Sequence, residues 1–184
     1  MNEHIFWYVA RATGIVAWVL LTASVIWGLA LSTRVAGRTP RPPWILALHR
    51  YLGGSAVVYT ALHLASLWAD NYVDFSVADL FVPMASSWRP GAVAWGIAAM
   101  YLLVAVEVTS LLKRRIPTRV WRAIHVSSLA LLTGVWVHAF AAGSDMGTPI
   151  ARWFAMGSAA VTLFLLAYRA LSRLRLPALG SHPG

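Results

Sequence analysis

Five long apolar runs constrain the fold of this chain more than any other feature of its sequence. They occupy residues 5–31, 44–68, 92–112, 120–142 and 150–171. A helix needs about 20 mostly apolar residues to cross the hydrocarbon core of a bilayer. Because hydrocarbon offers no hydrogen-bond partners, a spanning segment must satisfy its backbone internally, as a helix does. We therefore expect an all-α membrane protein, built as a bundle of about five transmembrane helices.

The charged residues agree with a membrane location. Only 11% of the 184 residues are charged, whereas soluble domains usually carry about 25%. The net charge of +9 does not indicate nucleic-acid binding, because the arginines lie in short gaps between apolar runs. The first run is too long for the apolar part of a signal peptide and is expected to be a permanent span. We expect one membrane domain over residues 1–172, in contact with lipid, and a short disordered tail over residues 173–184.

The distribution of Lys and Arg predicts the orientation of the spans. Basic residues concentrate in the first and third connections, 32–43 and 113–119, and in the C-terminal tail. The second and fourth connections, 69–91 and 142–149, carry mainly aspartates. Since short cytoplasmic loops hold the excess of Lys and Arg, we expect a plasma-membrane protein with its N-terminus outside and its C-terminus in the cytoplasm. Residues 77–84, within the second connection, are expected to form a short interfacial helix.

Two of the apolar runs carry pairs of histidines. His49 and His63 are fourteen residues apart, and His125 and His138 are thirteen apart. An ionisable side chain within a membrane span is a functional-site hypothesis by default, because it is costly to bury in hydrocarbon. At 1.5 Å rise per residue, each spacing separates its two histidines by roughly 20 Å along the helix. With both helices running from the inside to the outside, His49 shares a depth with His125, and His63 with His138.

Two histidines at each depth favour haem over other metal sites. A haem brings its own four equatorial nitrogens and needs only two axial ligands, whereas zinc or copper would remain incompletely coordinated without carboxylates at the same depth. The chain has no cysteine, which excludes iron–sulfur clusters and covalent c-type haem attachment. The histidines are therefore interpreted as ligands of two stacked, non-covalent b haems. The alternatives are helix–helix hydrogen bonding and a histidine-based proton or metal transporter, which would show no haem spectrum.

The angular positions of the histidines predict an irregular helix. Fourteen residues fall about 40° short of whole turns, so His49 and His63 share a face. Thirteen residues place His125 and His138 about 140° apart on an ideal helix. We expect a distortion between them, with Gly134 as the weak point, because glycine is a common cause of helix kinks.

Three arginines are candidate partners for haem propionates, since guanidinium groups match carboxylate geometry. Arg50 and Arg122 flank the inner histidines, and Arg11 lies near the outer end of the first span. The alternatives are membrane anchoring for Arg50 and Arg122 and snorkelling to the interface for Arg11. Glu107, in the third span, is expected to pair with a nearby arginine or to carry protons.

Glycines between the ligands are candidate contacts for the macrocycles. Gly53 and Gly54 in the second span, and Gly134 in the fourth, would let a flat porphyrin approach the backbone closely. The alternative is packing of small residues between helices, which is common in membranes. Four tryptophans near span ends are most simply interfacial: Trp68, Trp88, Trp121 and Trp153.

The segments LHRYLGGSAVVYTALH and RVWRAIHVSSLALLTGVWVH resemble the haem helices of the ferric reductase and NADPH oxidase transmembrane superfamily. In that family, one helix has a fourteen-residue histidine spacing and a later one has thirteen. The resemblance covers residues 44–142. It implies two b haems, the inner held by His49 and His125 and the outer by His63 and His138.

Two departures from the large members of that family shape the expected function. This sequence has no G-x-G-x-x-G nucleotide fingerprint, and it has five expected spans rather than six. It resembles the small bacterial members, which are haem units with a separate electron donor. We therefore expect an oxidoreductase component that moves electrons from a cytoplasmic flavoprotein or quinol to an external acceptor or redox partner. The alternative is a haem-binding anchor subunit without turnover of its own.

Overall fold

A computed structural model of the chain describes residues 4–33 and 43–174, and the regular structure within them is helical. The seven helices of this part are α1 (Ile5–Thr33), α2 (Pro43–Trp68), α3 (Val77–Phe81), α4 (Pro90–Leu111), α5 (Thr118–Val126), α6 (Ser128–Ala142) and α7 (Pro149–Leu174). A 3₁₀ turn, Ser144–Gly147, joins α6 to α7. Most of the basic first connection, residues 34–42, and the tail from residue 175 onward lie outside the described residues.

Four segments of the described chain are long and apolar enough to cross a membrane. They are Ile5–Ser32, Pro90–Leu111, Thr118–Ala142 and Pro149–Ser172. The chain is therefore a multi-pass membrane protein. The fifth expected span corresponds to α2, which has 26 residues but is not among the four. Its two histidines, Arg50 and paired glycines make it less apolar, so its crossing of the membrane stays a prediction.

The short helix α3 lies inside the region predicted to be an interfacial helix. It begins after Ser76, whose hydroxyl accepts a hydrogen bond from the Asp79 backbone N–H, while the Asp79 carboxylate accepts one from the Ser76 backbone N–H. This reciprocal capping satisfies two N–H groups that a helix start leaves unpaired. At the other end, the Tyr101 hydroxyl of α4 donates to the Phe81 carbonyl oxygen at 2.6 Å. The capping and this bond fix α3 against α4.

The fourth apolar run is interrupted, although not where the sequence predicted. The break falls at Ser127, between α5 and α6, so the placement at Gly134 was wrong. The Ser127 hydroxyl donates to the Ile124 carbonyl oxygen at 2.6 Å, and the Ser127 N–H bonds to the same oxygen at 3.1 Å. A serine side chain that competes for a backbone carbonyl in this way locally disturbs a helix. The break lies between His125 and His138, where the angular mismatch required one.

The helices pack as two principal pairs. α1 packs most extensively against α2, and α4 against α6, while α7 covers α1. Buried leucines hold the centre of the bundle, with Leu131 and Leu132 of α6 each 1% exposed. Gly134 also lies in this centre: a Cβ atom there would sit 3.4 Å from the Ala99 Cβ of α4. Gly134 therefore serves close packing of α4 and α6, as its alternative interpretation held.

Candidate functional site

One end of the bundle was predicted to face the cytoplasm and is called the inner end here, and the opposite end is called the outer end. At the inner end, two histidines face each other across the helix pairs. His49 extends from α2 and His125 from α5, and their ring centroids are 6.0 Å apart with the ring planes at 76°. Both side chains are only half-buried. The sequence placed these two residues at one depth, and the structure brings them together.

The other two histidines line a cavity in the outer half of the bundle. His63 of α2 and His138 of α6 lie on the walls of a cavity of about 210 Å³ whose lining is almost wholly apolar. Arg11 and Asp145 also line it. The geometry is that of a ligand pocket with a few polar groups in a hydrophobic enclosure.

Three of the four histidines are oriented through the Nδ1 atom by a backbone carbonyl of a neighbouring helix, and the fourth has a longer contact to a hydroxyl. Three Nδ1 atoms lie close to backbone carbonyl oxygens: His49 to Ser24 at 3.1 Å, His63 to Ala10 at 2.7 Å, and His138 to Ala92 at 2.8 Å. The His125 Nδ1 lies 3.4 Å from the Ser110 hydroxyl oxygen. With the proton assigned to Nδ1, each carbonyl accepts a hydrogen bond and fixes the ring tautomer. Within the described chain no hydrogen bond reaches any of the four Nε2 atoms, which remain available as ligands.

Three glycines make room for the imidazole rings. A Cβ atom on Gly14 would lie 3.0 Å from the His63 Nδ1, and one on Gly28 would lie 3.0 Å from the His49 Cε1. A Cβ atom on Gly96 would lie only 2.7 Å from the His138 Nδ1. Each ring therefore rests directly on glycine backbone. Only a residue without a side chain permits this close approach.

At three of the histidine rings, the supporting glycine and the supporting carbonyl come from the same short sequence motif. Each residue whose carbonyl oxygen accepts from a histidine lies four residues before its glycine, in the pairs Ala10 with Gly14, Ser24 with Gly28, and Ala92 with Gly96. Such a spacing of two small residues lets membrane helices approach closely. Sequence reasoning missed these residues. The signal was present, because Gly14 and Gly28 repeat the fourteen-residue spacing of the histidines that they contact.

The arginines predicted near the haems lie in different surroundings. Arg11 forms an ion pair with Asp145 of the 3₁₀ turn, in which the guanidinium Nε also donates at 3.0 Å. Asp145 was not predicted as its partner, and the propionate and snorkelling interpretations of Arg11 both stay predictions. Arg50 and Arg122 are exposed at the inner end, so their two interpretations both stay predictions.

The remaining predicted residues of the second and third spans are Gly53 and Gly54 of α2 and Glu107 of α4. Gly53 faces α1 and α4: a Cβ atom on it would lie 3.4 Å from a Glu107 carboxylate oxygen and 3.7 Å from the Ser24 hydroxyl. Gly54 would meet nothing within 4 Å. Among the described residues Glu107 forms no ion pair with an arginine, and several arginines of the first connection lie outside them, so both interpretations of Glu107 stay predictions.

The four tryptophans assigned to the interface also differ. Trp68 and Trp153 are 64% and 71% exposed, as interfacial residues are. Trp88 instead packs edge-on against Trp7 and Phe75. Trp121 stacks on the His125 ring, with centroids 5.0 Å apart and planes at 25°. Trp121 is therefore part of the inner histidine site.

The described residues contain no cluster of three or more His, Cys, Asp or Glu side chains able to hold a metal ion. What they contain is two histidine pairs, one at each end of the bundle. Residues 13–136 match the sequence profile of a family described as the ferric reductase like transmembrane component. The match covers about two thirds of the chain and includes three of the four histidines.

The chain belongs to this family. Its membership, together with the apolar helices, indicates electron transfer within a membrane. The fourth histidine, His138, lies two residues beyond the matched range, but it lines the same cavity as His63. No curated protein and no solved structure is similar enough to this chain to be matched.

Proposed function

We propose that this ferric reductase-like protein is a di-haem cytochrome b that carries single electrons across the plasma membrane. His49 and His125 would hold the inner haem iron, and His63 and His138 the outer one. The observation that carries this proposal is that a backbone carbonyl of a neighbouring helix engages the Nδ1 of three histidines, His49, His63 and His138, which leaves their Nε2 as the free ring nitrogen. Metal-ligating histidines characteristically bond their second nitrogen to a carbonyl or another polar group.

The spacing of the inner rings supports the proposal. Two metal–nitrogen bonds of about 2 Å each, together with half of each ring, span about 6 Å. The measured centroid separation between His49 and His125 is 6.0 Å. At the outer end, His63 and His138 share an apolar cavity, which suits a macrocycle with a hydrophobic face. The ring separation at the inner pair and the apolar cavity at the outer pair both support bis-histidine haem.

The protein's own groups would hold and tune the site. The carbonyls of Ser24, Ala10 and Ala92 hold the rings through Nδ1 and leave Nε2 to bind the iron. Their hydrogen bonds also raise the basicity of the ligating nitrogen. A bound haem would supply reversible one-electron chemistry at iron. The apolar walls exclude water, and a two-histidine ligand set leaves no open position for inner-sphere binding of a substrate.

The direction of transfer follows from the proposed orientation. With the N-terminus outside and the C-terminus in the cytoplasm, the His49–His125 pair lies toward the cytoplasm, beside the exposed basic connection between α4 and α5. A separate flavoprotein or a quinol would donate electrons there. The outer pair would pass them to an external acceptor or a redox partner outside the cell.

Purified protein in sealed vesicles tests the proposal. Vesicles are loaded with ascorbate, and reduction of external ferricyanide is followed by absorbance. We expect reduction well above that of protein-free vesicles, and loss of the excess in the His63→Ala, His138→Ala double variant. The variant Gly157→Ala is the matched control, because a Cβ atom at this position on α7 would meet nothing within 4 Å. Haem-loaded protein that reduces no ferricyanide would contradict the proposal and favour the anchor subunit.

A further inference from the structure

One of the four histidines is held differently from the other three. His49, His63 and His138 each combine a backbone carbonyl partner with a glycine under the ring. His125 has neither. On α4, the residue fourteen positions after Gly96 is Ser110, so a hydroxymethyl group stands where the repeated motif would place a glycine.

Ser110 holds the His125 ring only loosely. Its hydroxyl oxygen lies 3.4 Å from the His125 Nδ1, and the same oxygen accepts a hydrogen bond of 3.4 Å from the Trp121 indole N–H. Both distances exceed the usual range of about 2.7–3.2 Å for such bonds. A contact this long constrains the direction of a ring weakly. The orientation of His125 must depend on another neighbour.

That neighbour is Trp121, one helical turn before His125 on α5. Side chains four residues apart lie on the same helix face, and here the two rings stack at 5.0 Å with an interplanar angle of 25°. Lys113 in turn places its ammonium group 4.0 Å from the centroid of the Trp121 ring. A cation over an aromatic face is attracted by its quadrupole, so Lys113 helps to fix the indole.

We infer that Trp121 is the positioning residue for His125, replacing the carbonyl and glycine that hold the other three ligands. Ser110 links the two rings through its hydroxyl, and Lys113 fixes the indole from the inner surface. This inference rests on the proposal that His125 ligates the inner haem. Trp121 supports the inner site only, and no tryptophan stacks on a histidine of the outer site in the described chain. Loss of Trp121 should therefore affect one haem of the two.

Redox titration and electron paramagnetic resonance of the haem-loaded protein test the inference. We expect Trp121→Leu to shift the midpoint potential and the low-spin signal of one haem while the other haem keeps both. Trp121→Phe keeps an aromatic face and should restore most of the wild-type signal. If the leucine variant does not assemble, Lys113→Met replaces it: this variant removes the cation over the indole, and it should shift the same single haem by a smaller amount, whereas no shift would count against the role of Trp121. Trp153→Leu is the matched control, because this tryptophan is 71% exposed.

A second readout needs no haem. In haem-depleted protein, mass spectrometry measures how fast diethyl pyrocarbonate modifies each histidine. We expect Trp121→Leu to raise the rate at His125 and to leave that at His138 unchanged. If wild-type protein binds no haem, the proposed function fails, while this measurement still decides the role of Trp121. The inference is overturned if Trp121→Leu leaves both haems and the His125 rate as in wild type, or moves both haems equally.

Discussion

Gly96→Ala tests the contact between a glycine backbone and a histidine ring at its tightest point. The added Cβ atom would lie 2.7 Å from the His138 Nδ1 and 2.8 Å from its Cε1. Non-bonded carbon atoms prefer separations of about 3.5–4.0 Å. The ring would therefore have to retreat by about 1 Å. That movement would break the hydrogen bond between the His138 Nδ1 and the Ala92 carbonyl oxygen, now 2.8 Å long.

The expected loss of free energy for binding the outer haem in Gly96→Ala combines two effects. Overpacking of a filled site typically costs about 1–3 kcal/mol. Loss of one hydrogen bond adds about 0.5–1.5 kcal/mol. A total of about 1.5–4.5 kcal/mol corresponds to a decrease of roughly 10- to 2,000-fold in the affinity for the outer haem. The inner haem, which is held by other helix segments, should be unaffected.

The assay is haem titration of depleted protein, followed in the Soret band for each variant. Gly14→Ala and Gly28→Ala, where the nearest histidine atom is 3.0 Å away, should weaken the outer and the inner haem respectively, and by less than Gly96→Ala. Gly157→Ala should bind as wild type does. Equal haem affinity of Gly96→Ala and Gly157→Ala would refute the idea that the rings rest on glycine backbone.

Three further predictions follow from the same geometry. His138→Ala should lose the outer haem and retain the inner one, and His125→Ala should do the reverse, as measured by haem content and redox titration; loss of both haems in either variant would contradict independent sites. Arg11→Gln and Asp145→Asn should show a coupling energy below about 1 kcal/mol in a double-mutant cycle of thermal unfolding, because the ion pair is partly exposed. Dialysis against EDTA should leave the visible spectrum unchanged, whereas a zinc or copper site would be emptied.

Much of the helical framework was predictable because hydrocarbon allows few alternatives. Runs of apolar residues identified the long helices, with boundaries such as Ile5 and Trp68 that agree with the structure. The short helix α3 was also confirmed. The break at Ser127 was predicted in kind but misplaced at Gly134. Glycine was treated as the weak point, whereas the hydroxyl of Ser127 disturbs the helix by bonding to the Ile124 carbonyl oxygen.

The histidine pairs were predictable from depth alone, but their supports were not. Which carbonyl meets a ring depends on how α1 lies against α2 and α4 against α6, and a single helix pattern does not contain that information. Asp145 illustrates the same limit, since it lies 134 residues from Arg11 in sequence. Trp121 was assigned to the interface by composition, and its stacking on His125 emerged only from the structure.

The most direct test of haem ligation by the histidine pairs is the amount of haem bound by the purified protein. A pyridine haemochrome assay combined with protein quantification gives haem b per polypeptide, and paramagnetic resonance gives the spin state. If the two histidine pairs each ligate a haem, we expect two low-spin b haems per chain, and one in the His63→Ala, His138→Ala double variant. A colourless protein, or one in which the double variant keeps both haems, would contradict the claim that opposing histidines hold an iron porphyrin at each end of the bundle.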